Sequence, residues 1–188
     1  YRNVSILCQG KNNYNQTRND TNASAIQVEA GGEHTCILRN NGNVDCVGRN
    51  GKGQSNNYAG NDAIQLSAGG ESTCVLKNNG NVECWGENRN TSEQNYTQGD
   101  ATYVSTGADA TCILKNNGNV VCWGYNAHGA AQNYTGGDAT NVSVGNHHVC
   151  ILTKSKTVKC WGYNGFGQAA TLLANDTLQV SAGGEHTC

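Results

Sequence analysis

The sequence of 188 residues contains no proline, no methionine and only one phenylalanine. Charged residues make up 14% of the chain and the formal net charge is −2, so the basic stripe on which nucleic-acid binding depends is missing. No apolar run approaches the roughly 20 residues that cross a bilayer. We therefore predict neither a nucleic-acid partner nor membrane insertion.

Cysteine, in contrast, is abundant. The chain has ten cysteines, an even number. Disulfides persist in oxidising compartments, whereas cytosolic thiols stay reduced, so this count predicts a secreted, extracellular protein.

Acceptor sequences for N-linked glycans, Asn-X-Ser/Thr, support the same compartment. They occur at Asn3, Asn15, Asn19, Asn22, Asn90, Asn95, Asn133, Asn141 and Asn175. In an asparagine-rich chain many such triplets arise by chance. We expect glycans at Asn19, Asn22, Asn95 and Asn133.

The main feature of the sequence is an internal repeat of 38 residues. One series of cysteines at this spacing is Cys36, Cys74, Cys112, Cys150 and Cys188, and a second is Cys8, Cys46, Cys84, Cys122 and Cys160. The blocks between them are similar as well, for example TCVLKNNGNVECWG and TCILKNNGNVVCWG.

The segments within one repeat indicate β-structure. Residues 64–68, 73–76 and 82–85 are short, β-branched and bounded by glycine and asparagine, which is typical of strands. No ten-residue helical stripe is present. Each repeat holds three strands, with room for a short fourth near Tyr58 and its equivalents Tyr96 and Tyr134. A period of this length in β-structure predicts propeller blades.

The hairpin turn predicts the disulfide pairing. Asn40-Asn41-Gly42 suits a three-residue loop with glycine in the left-handed region, which places Cys36 opposite Cys46. A two-residue turn would leave the two thiols diagonal. We therefore predict one disulfide in each hairpin: Cys36–Cys46, Cys74–Cys84, Cys112–Cys122 and Cys150–Cys160.

Cys8 and Cys188 then remain. Each lies in a half-repeat that holds one strand of a hairpin and lacks the strand that the other half-repeat holds. We predict that they are bonded to each other and that the strand from Val4 to Cys8 pairs with the strand ending at Cys188. Closure leaves no open sheet edge. The prediction is an all-β, five-bladed propeller in a single domain, residues 1–188, in which residues 1–8 complete the last blade.

The motifs resemble the regulator-of-chromosome-condensation repeat in all five units. The matching segments include Val180 to Cys188, Cys112 to Asn126, and Cys160 to Gln168. The resemblance implies a β-propeller, usually of seven longer blades. The family includes a nuclear nucleotide-exchange factor, a plant ultraviolet-B receptor and secreted β-lactamase inhibitors. In this sequence Val47 and Gln9 replace the motif tryptophan in two repeats. The family implies architecture, and function depends on the loops.

Catalysis and metal binding are not predicted. No nucleophile–base set, phosphate-binding loop or cofactor motif can be drawn. Histidine recurs at one repeat position, in His34, His148 and His186, and we interpret these residues as structural. Adjacent residues in a strand point to opposite faces, so the pair His147-His148 is not a metal site.

Charged turn residues predict two opposed rings. Glu33, Glu71, Asp109 and Glu185 follow the first strand of their repeats, and Arg39, Lys77, Lys115 and Lys154 lie at or near the hairpin tips. One interpretation is that they are ordinary solvated turn residues. The other is that they form an acidic face and a basic face, and that the acidic face of one molecule stacks on the basic face of another.

Ligand recognition is the predicted activity. Trp85, Trp123 and Trp161 are assigned to packing between blades. The candidate ligand-binding residues are Tyr125, Asn126, Tyr163, Asn164 and Phe166, because aromatic faces beside amides suit sugars and repeated sites give avidity. Gln27, Gln65, Tyr103, Asn141 and Gln179 are expected to line the central channel, which would leave Asn141 without a glycan.

We conclude from the sequence that the chain is a secreted, non-enzymatic module that binds an extracellular protein or a glycan. The alternative is a structural subunit of an extracellular filament or matrix.

Overall fold

The computed structural model describes residues 6–87, 95–171 and 176–188. Its named strands form four sheets, each of three consecutive antiparallel strands, which we call blades 1 to 4. No helix occurs in these ranges, and accordingly none that could span a membrane. The strands are β1 Ala25–Ala30, β2 His34–Arg39 and β3 Val44–Gly48 in blade 1; β4 Ala63–Ala68, β5 Ser72–Lys77 and β6 Val82–Gly86 in blade 2; β7 Ala101–Thr106, β8 Ala110–Lys115 and β9 Val120–Gly124 in blade 3; and β10 Ala139–Val144, β11 His148–Thr153 and β12 Val158–Gly162 in blade 4.

The apolar core lies between adjacent blades. The middle strands β2 and β11 are buried along their whole length. In one cluster Leu76 and Val82 of blade 2 pack with Val104 and Ile113 of blade 3. The blades therefore depend on one another for burial, as expected for repeats too small to hold a core alone.

The β2–β3 hairpin has the predicted three-residue turn. The amide of Arg39 donates to the carbonyl of Asn43 at 2.8 Å, and Gly42 has φ of 78°, a conformation that glycine adopts without strain. Cys36 lies opposite Cys46 in the ladder. All four predicted hairpin disulfides are present: Cys36–Cys46, Cys74–Cys84, Cys112–Cys122 and Cys150–Cys160.

The short fourth strand exists as a single bridge at the outer edge of a blade. Tyr58 pairs with Val44, and the same bridge recurs at Tyr96 and Tyr134. One residue earlier, the side-chain carbonyl of Asn57 accepts a hydrogen bond of 2.8 Å from the amide of Cys46. An asparagine side chain therefore takes the place of the next ladder bond.

Hydrogen bonds from side chains join the inner strands of neighbouring blades. Gln65 donates to the carbonyl of Val104 and accepts from its amide, both at 3.0 Å. Gln27 makes the same pair of bonds with Leu66. These two glutamines, expected to line the channel, act as links between blades, because inner strands of different blades diverge too far to share a ladder.

One central cavity of about 260 Å³ is lined by the turns that follow the inner strands. Its lining comes from all five repeats and consists mostly of glycine and alanine. Residues from Ala30 in the first repeat to Ala182 in the last face the same space. The repeats are thus arranged around a common axis.

Among the residues that the structure describes, the predicted fifth blade is not formed as a sheet, and four complete blades are present. At the C-terminal end Ala182 bridges to Thr187, and at the N-terminal end Ile6 bridges to Asp20. The predicted Cys8–Cys188 bond is not formed in the structure and stays a prediction. Val4 and Ser5 of the predicted N-terminal strand lie outside the described residues, and no bridge joins the described parts of the two halves to each other.

Tryptophan and histidine have the packing roles predicted for them. Trp85 of blade 2 stacks on Tyr58 of blade 1 with ring centroids 6.0 Å apart. The Nε2 atom of His34 lies 2.8 Å from the hydroxyl of Thr73 in the next blade. Trp161 stacks on Tyr134, and His148 bonds Thr187, in the same way.

The two predicted charged rings are not surfaces of a single sign. Glu33 is paired with Lys11 at 2.9 Å and with Arg49 at 3.1 Å. At the opposite end of the blade, Arg39 is paired with Asp20 and Asp45. Lys77 pairs with Glu83 and Lys115 with Asp100 in the same manner. Several of these charges are therefore paired within the chain, and self-association through the two faces stays a prediction.

Candidate functional site

Each blade presents loops at two ends. The β1–β2 turn and the segment that follows β3 meet at one end, because His34 lies opposite Gly48 in the ladder. We call this end the loop face, and the end with the β2–β3 turns the hairpin face. The same arrangement holds in all four blades.

Four aromatic side chains cluster on the loop face of blades 3 and 4. His128 lies 5.1 Å from Tyr163 and 5.9 Å from His147, measured between ring centroids. Tyr163 contacts His147 at 6.4 Å and Phe166 at 6.1 Å, both edge to face. We call His128, His147, Tyr163 and Phe166 the aromatic patch.

The aromatic patch replaces an ion pair that occupies the same positions in blade 1. There the amide of Arg49 donates to the carbonyl of Glu33 at 2.8 Å, and their side chains form a salt bridge. In blade 4 the amide of Tyr163 donates to the carbonyl of His147 at 2.8 Å. The same backbone hydrogen bond is therefore present in both blades, whereas the two charged side chains of blade 1 are replaced by aromatic rings in blade 4.

A buried carboxylate from the neighbouring blade orients His147. The Oδ2 atom of Asp109 lies 2.5 Å from Nδ1 of His147, and the Asp109 side chain is only 6% exposed. The amide of Asp109 in turn donates to the carbonyl of Asn146. Blade 3 therefore fixes the position of an aromatic ring that belongs to blade 4.

Phe166 is exposed but is held in a rigid loop. Its side chain is 70% exposed, whereas its amide donates to the side-chain carbonyl of the buried Gln168 at 2.9 Å. The hydroxyl of Thr187 donates to the backbone carbonyl of Gln168 at 2.8 Å. A large apolar ring on an anchored loop loses little conformational entropy when a partner covers it.

A cavity of about 220 Å³ with acidic walls adjoins the aromatic patch. Glu71, Glu87, Asp109 and His147 line it. A hydrogen bond to the Glu87 carboxyl raises the pKa of Glu71, since two neighbouring carboxylates favour a shared proton. No group of three or more histidine, cysteine or acidic residues in the described ranges is placed to hold a metal ion.

The predicted ligand-binding residues separate into two groups. Tyr163 and Phe166 belong to the aromatic patch. Tyr125 does not, and the side-chain carbonyls of Asn126 and Asn164 accept from the amides of Ala131 and Ala169, each at 2.9 Å. The two asparagines thus stabilise their own loops. Asn88, the equivalent of Asn126 in blade 2, lies outside the described residues.

Sequence reasoning missed His128, His147 and Asp109 as members of this site. A signal was present, since aromatic residues replace charged ones at the positions of Glu33 and Arg49 only in the later repeats. Their proximity, however, depends on two different blades, which the repeat period alone does not place side by side.

The chain matches a known family through its repeats. The profile of the regulator of chromosome condensation (RCC1) repeat matches residues 25–54, 63–91, 101–130 and 139–168, more than half of the chain. Each match begins within one residue of the first strand of a blade. A comparison with curated proteins gives no match.

Solved structures with the same fold include three propellers. Prp20p from Saccharomyces cerevisiae is 20% identical with a TM-score of 0.74, over 86% of this chain and 53% of that one. The ectodomain of the receptor kinase CR4 from Physcomitrella patens is 23% identical with a TM-score of 0.74, over 87% and 48%. Human WBSCR16 is 17% identical with a TM-score of 0.75, over 95% and 65%. The chain therefore spans about half to two thirds of the length of these structures, and the likeness establishes the fold.

Proposed function

The chain belongs to the regulator of chromosome condensation (RCC1) repeat family, and on this basis we propose that it is a secreted, non-enzymatic module that binds a partner protein through the loop face. The aromatic patch is the observation that carries the proposal. Rigid aromatic anchors dominate the energetics of protein interfaces, and Phe166 projects from an anchored loop beside three further rings.

A protein fits this surface better than a sugar does. The amides of Asn126 and Asn164, which would be expected to bind sugar hydroxyls, have their carbonyl oxygens engaged within their loops. The loop face also combines apolar rings with the acidic cavity beside His147. A protein partner supplies both apolar and basic side chains to such a surface.

The relatives and the disulfides give further support. The Saccharomyces cerevisiae structure is described by its binding to Gsp1p and histones, and the Physcomitrella patens structure is the ectodomain of a receptor kinase. Four disulfides support an oxidising location outside the cytosol. Together they support extracellular protein binding by this chain.

We also propose that the ring is completed by a fifth blade, so that residues 1–188 form a single domain. The fifth repeat already continues the contacts between blades on one side. Val180 packs with Leu152 of blade 4, and the amide of Ala182 donates to the hydroxyl of Ser143 at 2.9 Å. On the other side, the bond from the Cys8 amide to Asn19 repeats the bond from Cys46 to Asn57.

The side of blade 1 that would receive the fifth blade is incomplete in the structure. Val28 is 43% exposed, whereas its equivalents Leu66, Val104 and Val142 are each 1% exposed. Gln179 occupies the linking position of Gln27 and Gln65. Covering Val28 and bonding Gln179 to blade 1 would complete the pattern, and a Cys8–Cys188 disulfide would stabilise it.

A matched pair of variants tests the binding proposal. Phe166→Ala removes the exposed ring, and Lys154→Ala removes an exposed side chain on the opposite, hairpin face of the same blade. The immobilised chain is used to capture extracellular proteins of the source organism. We expect at least one captured protein whose affinity falls about 30-fold in Phe166→Ala, an effect of about 2 kcal/mol, and is unchanged in Lys154→Ala. Equal capture by all three chains would contradict the proposal, and binding to a glycan array that is lost only in Phe166→Ala would replace the protein partner by a sugar.

A further inference from the structure

Three of the acceptor sequences for N-linked glycans occupy one position in the blade. Asn19, Asn95 and Asn133 are separated by two repeats and by one repeat, and threonine follows two residues after each. The remaining member of the series is Asn57, which has Ala59 in place of threonine. The repeat thus provides three acceptors and one natural control with the same asparagine.

The structure gives these asparagines one common geometry. The side-chain carbonyl of Asn95 accepts from the amide of Cys84 at 3.0 Å, and that of Asn133 from Cys122 at 2.8 Å. Asn19 and Asn57 make the same bond to Cys8 and Cys46. Because Oδ1 faces the backbone donor, the Nδ2 atom, to which a glycan is attached, is on the side of the amide away from the sheet.

Both residues that the reaction requires are accessible at this position. The three asparagines and the hydroxyl residues Thr21, Thr97 and Thr135 are all exposed. Asn141 differs, since it is half-buried in the inner strand β10. Accessibility therefore separates the three outer acceptors from an inner one with an equally suitable sequence.

The outer edge is also where a blade is least protected. Within the described ranges, the strand pairing outside the third strand of a blade is a single bridge, such as Val82 to Tyr96, so the sheet ends in a short edge. Open edges invite pairing with other chains. We propose that Asn19, Asn95 and Asn133 carry N-linked glycans that form a partial collar around the outer rim and leave the loop face free for a partner.

The modification uses an oligosaccharide carried on a lipid diphosphate, the donor class of the secretory pathway. The bond between the anomeric carbon and the diphosphate oxygen breaks, and the lipid diphosphate leaves with the electron pair. A bond forms between that carbon and Nδ2 of the asparagine, and Nδ2 loses one proton. The Oδ1 atom retains its hydrogen bond to the cysteine amide.

The inference rests on the secreted location in the proposed function but not on the aromatic patch. The full chain is therefore secreted from eukaryotic cells behind an added leader peptide, and glycan occupancy is measured by mass spectrometry of its peptides. We expect glycans on Asn19, Asn95 and Asn133 and an unmodified Asn141. Asn22, the fourth acceptor predicted from the sequence, is exposed but lies outside this series, and its glycan stays a separate prediction. Thr97→Ala removes one acceptor while keeping Asn95 and its bond to Cys84, and should lose one glycan.

Ala59→Thr is the converse variant. It completes the acceptor sequence at Asn57, so the chain should gain one glycan. An unmodified Asn19, Asn95 or Asn133 in the secreted chain, a glycan on Asn141, or no gain in Ala59→Thr would overturn the inference. The capture experiment with Phe166→Ala has an independent outcome, so failure of the collar and failure of the binding site are distinguishable.

Discussion

Acidification should destabilise the propeller through His34, which is buried and neutral. The residue is 1% exposed, and its Nε2 atom lies 2.8 Å from the hydroxyl of Thr73. That hydroxyl donates its only proton to the carbonyl of Gln54 at 2.8 Å, so it accepts from Nε2. The Nδ1 atom of His34 is buried and has no partner in the described part of the chain. A second proton on the ring would therefore have no acceptor.

The size of the effect follows from the pKa. Burial lowers the pKa of His34 from 6.5 to about 4, opposed only in part by a backbone hydrogen bond with Ser72. The unfolded chain binds this proton more readily than the folded chain below pH 6.5, so stability is present above that pH and is lost as the pH falls towards 4. The loss is about 1.4 kcal/mol at pH 5.5 and about 3 kcal/mol at the lower limit.

Urea unfolding followed by tryptophan fluorescence measures this effect. The free energy of unfolding is compared at pH 7.5 and 5.5 for the wild-type chain, for His34→Gln, and for His128→Gln on the exposed aromatic patch. Glutamine retains a donor near Nε2 but does not bind a proton. We expect the stability of His34→Gln to fall less between the two pH values, by about 1.4 kcal/mol, than that of the other two chains. Equal pH dependence in all three chains would refute the assignment of His34.

Two further predictions concern the hairpins and the links between blades. Lys156 has φ of 64° at the turn position where Gly42 has φ of 78°. Because a side chain is strained in this conformation, Lys156→Gly should raise the free energy of unfolding by about 1 kcal/mol. Gly42→Lys should lower the free energy of unfolding, since a Cβ at residue 42 would lie 2.5 Å from the Asn61 carbonyl carbon. Urea midpoints test both, and a stabilised Gly42→Lys chain would contradict the reasoning. Gln65→Leu removes both bonds to Val104 and should lower the free energy of unfolding by about 2 kcal/mol and speed hydrogen exchange at the Val104 amide, whereas Gln132→Leu on the surface should do neither. Unchanged exchange in Gln65→Leu would show that the link contributes nothing.

The parts of the fold that the sequence predicted are those set by local chemistry and by the repeat. The Asn40-Asn41-Gly42 turn determines which residues face each other in the hairpin, and therefore the Cys36–Cys46 bond and its three equivalents. The 38-residue period repeats this turn and this pairing in each blade. The packing roles of Trp85, Trp161, His34 and His148 were predicted because residues of one type recur at one position of the repeat.

The parts that the sequence did not predict depend on contacts between different repeats. Gln27 reaches Leu66 in the next blade, which alternation along its own strand does not reveal. Arg49 bridges Glu33 and Glu71 in two blades, so two members of the predicted acidic ring share one cation. The site was predicted in part, since Tyr163 and Phe166 were identified while their neighbours on the aromatic patch were not.

Mapping of disulfides in unreduced peptides of the secreted chain tests most directly the claim that five repeats form one ring with a common loop face. The four hairpin bonds provide an internal standard in the same digest. The account predicts a fifth linked pair, Cys8 with Cys188. A free thiol at either position, or a bond from Cys8 to any other cysteine, would contradict it.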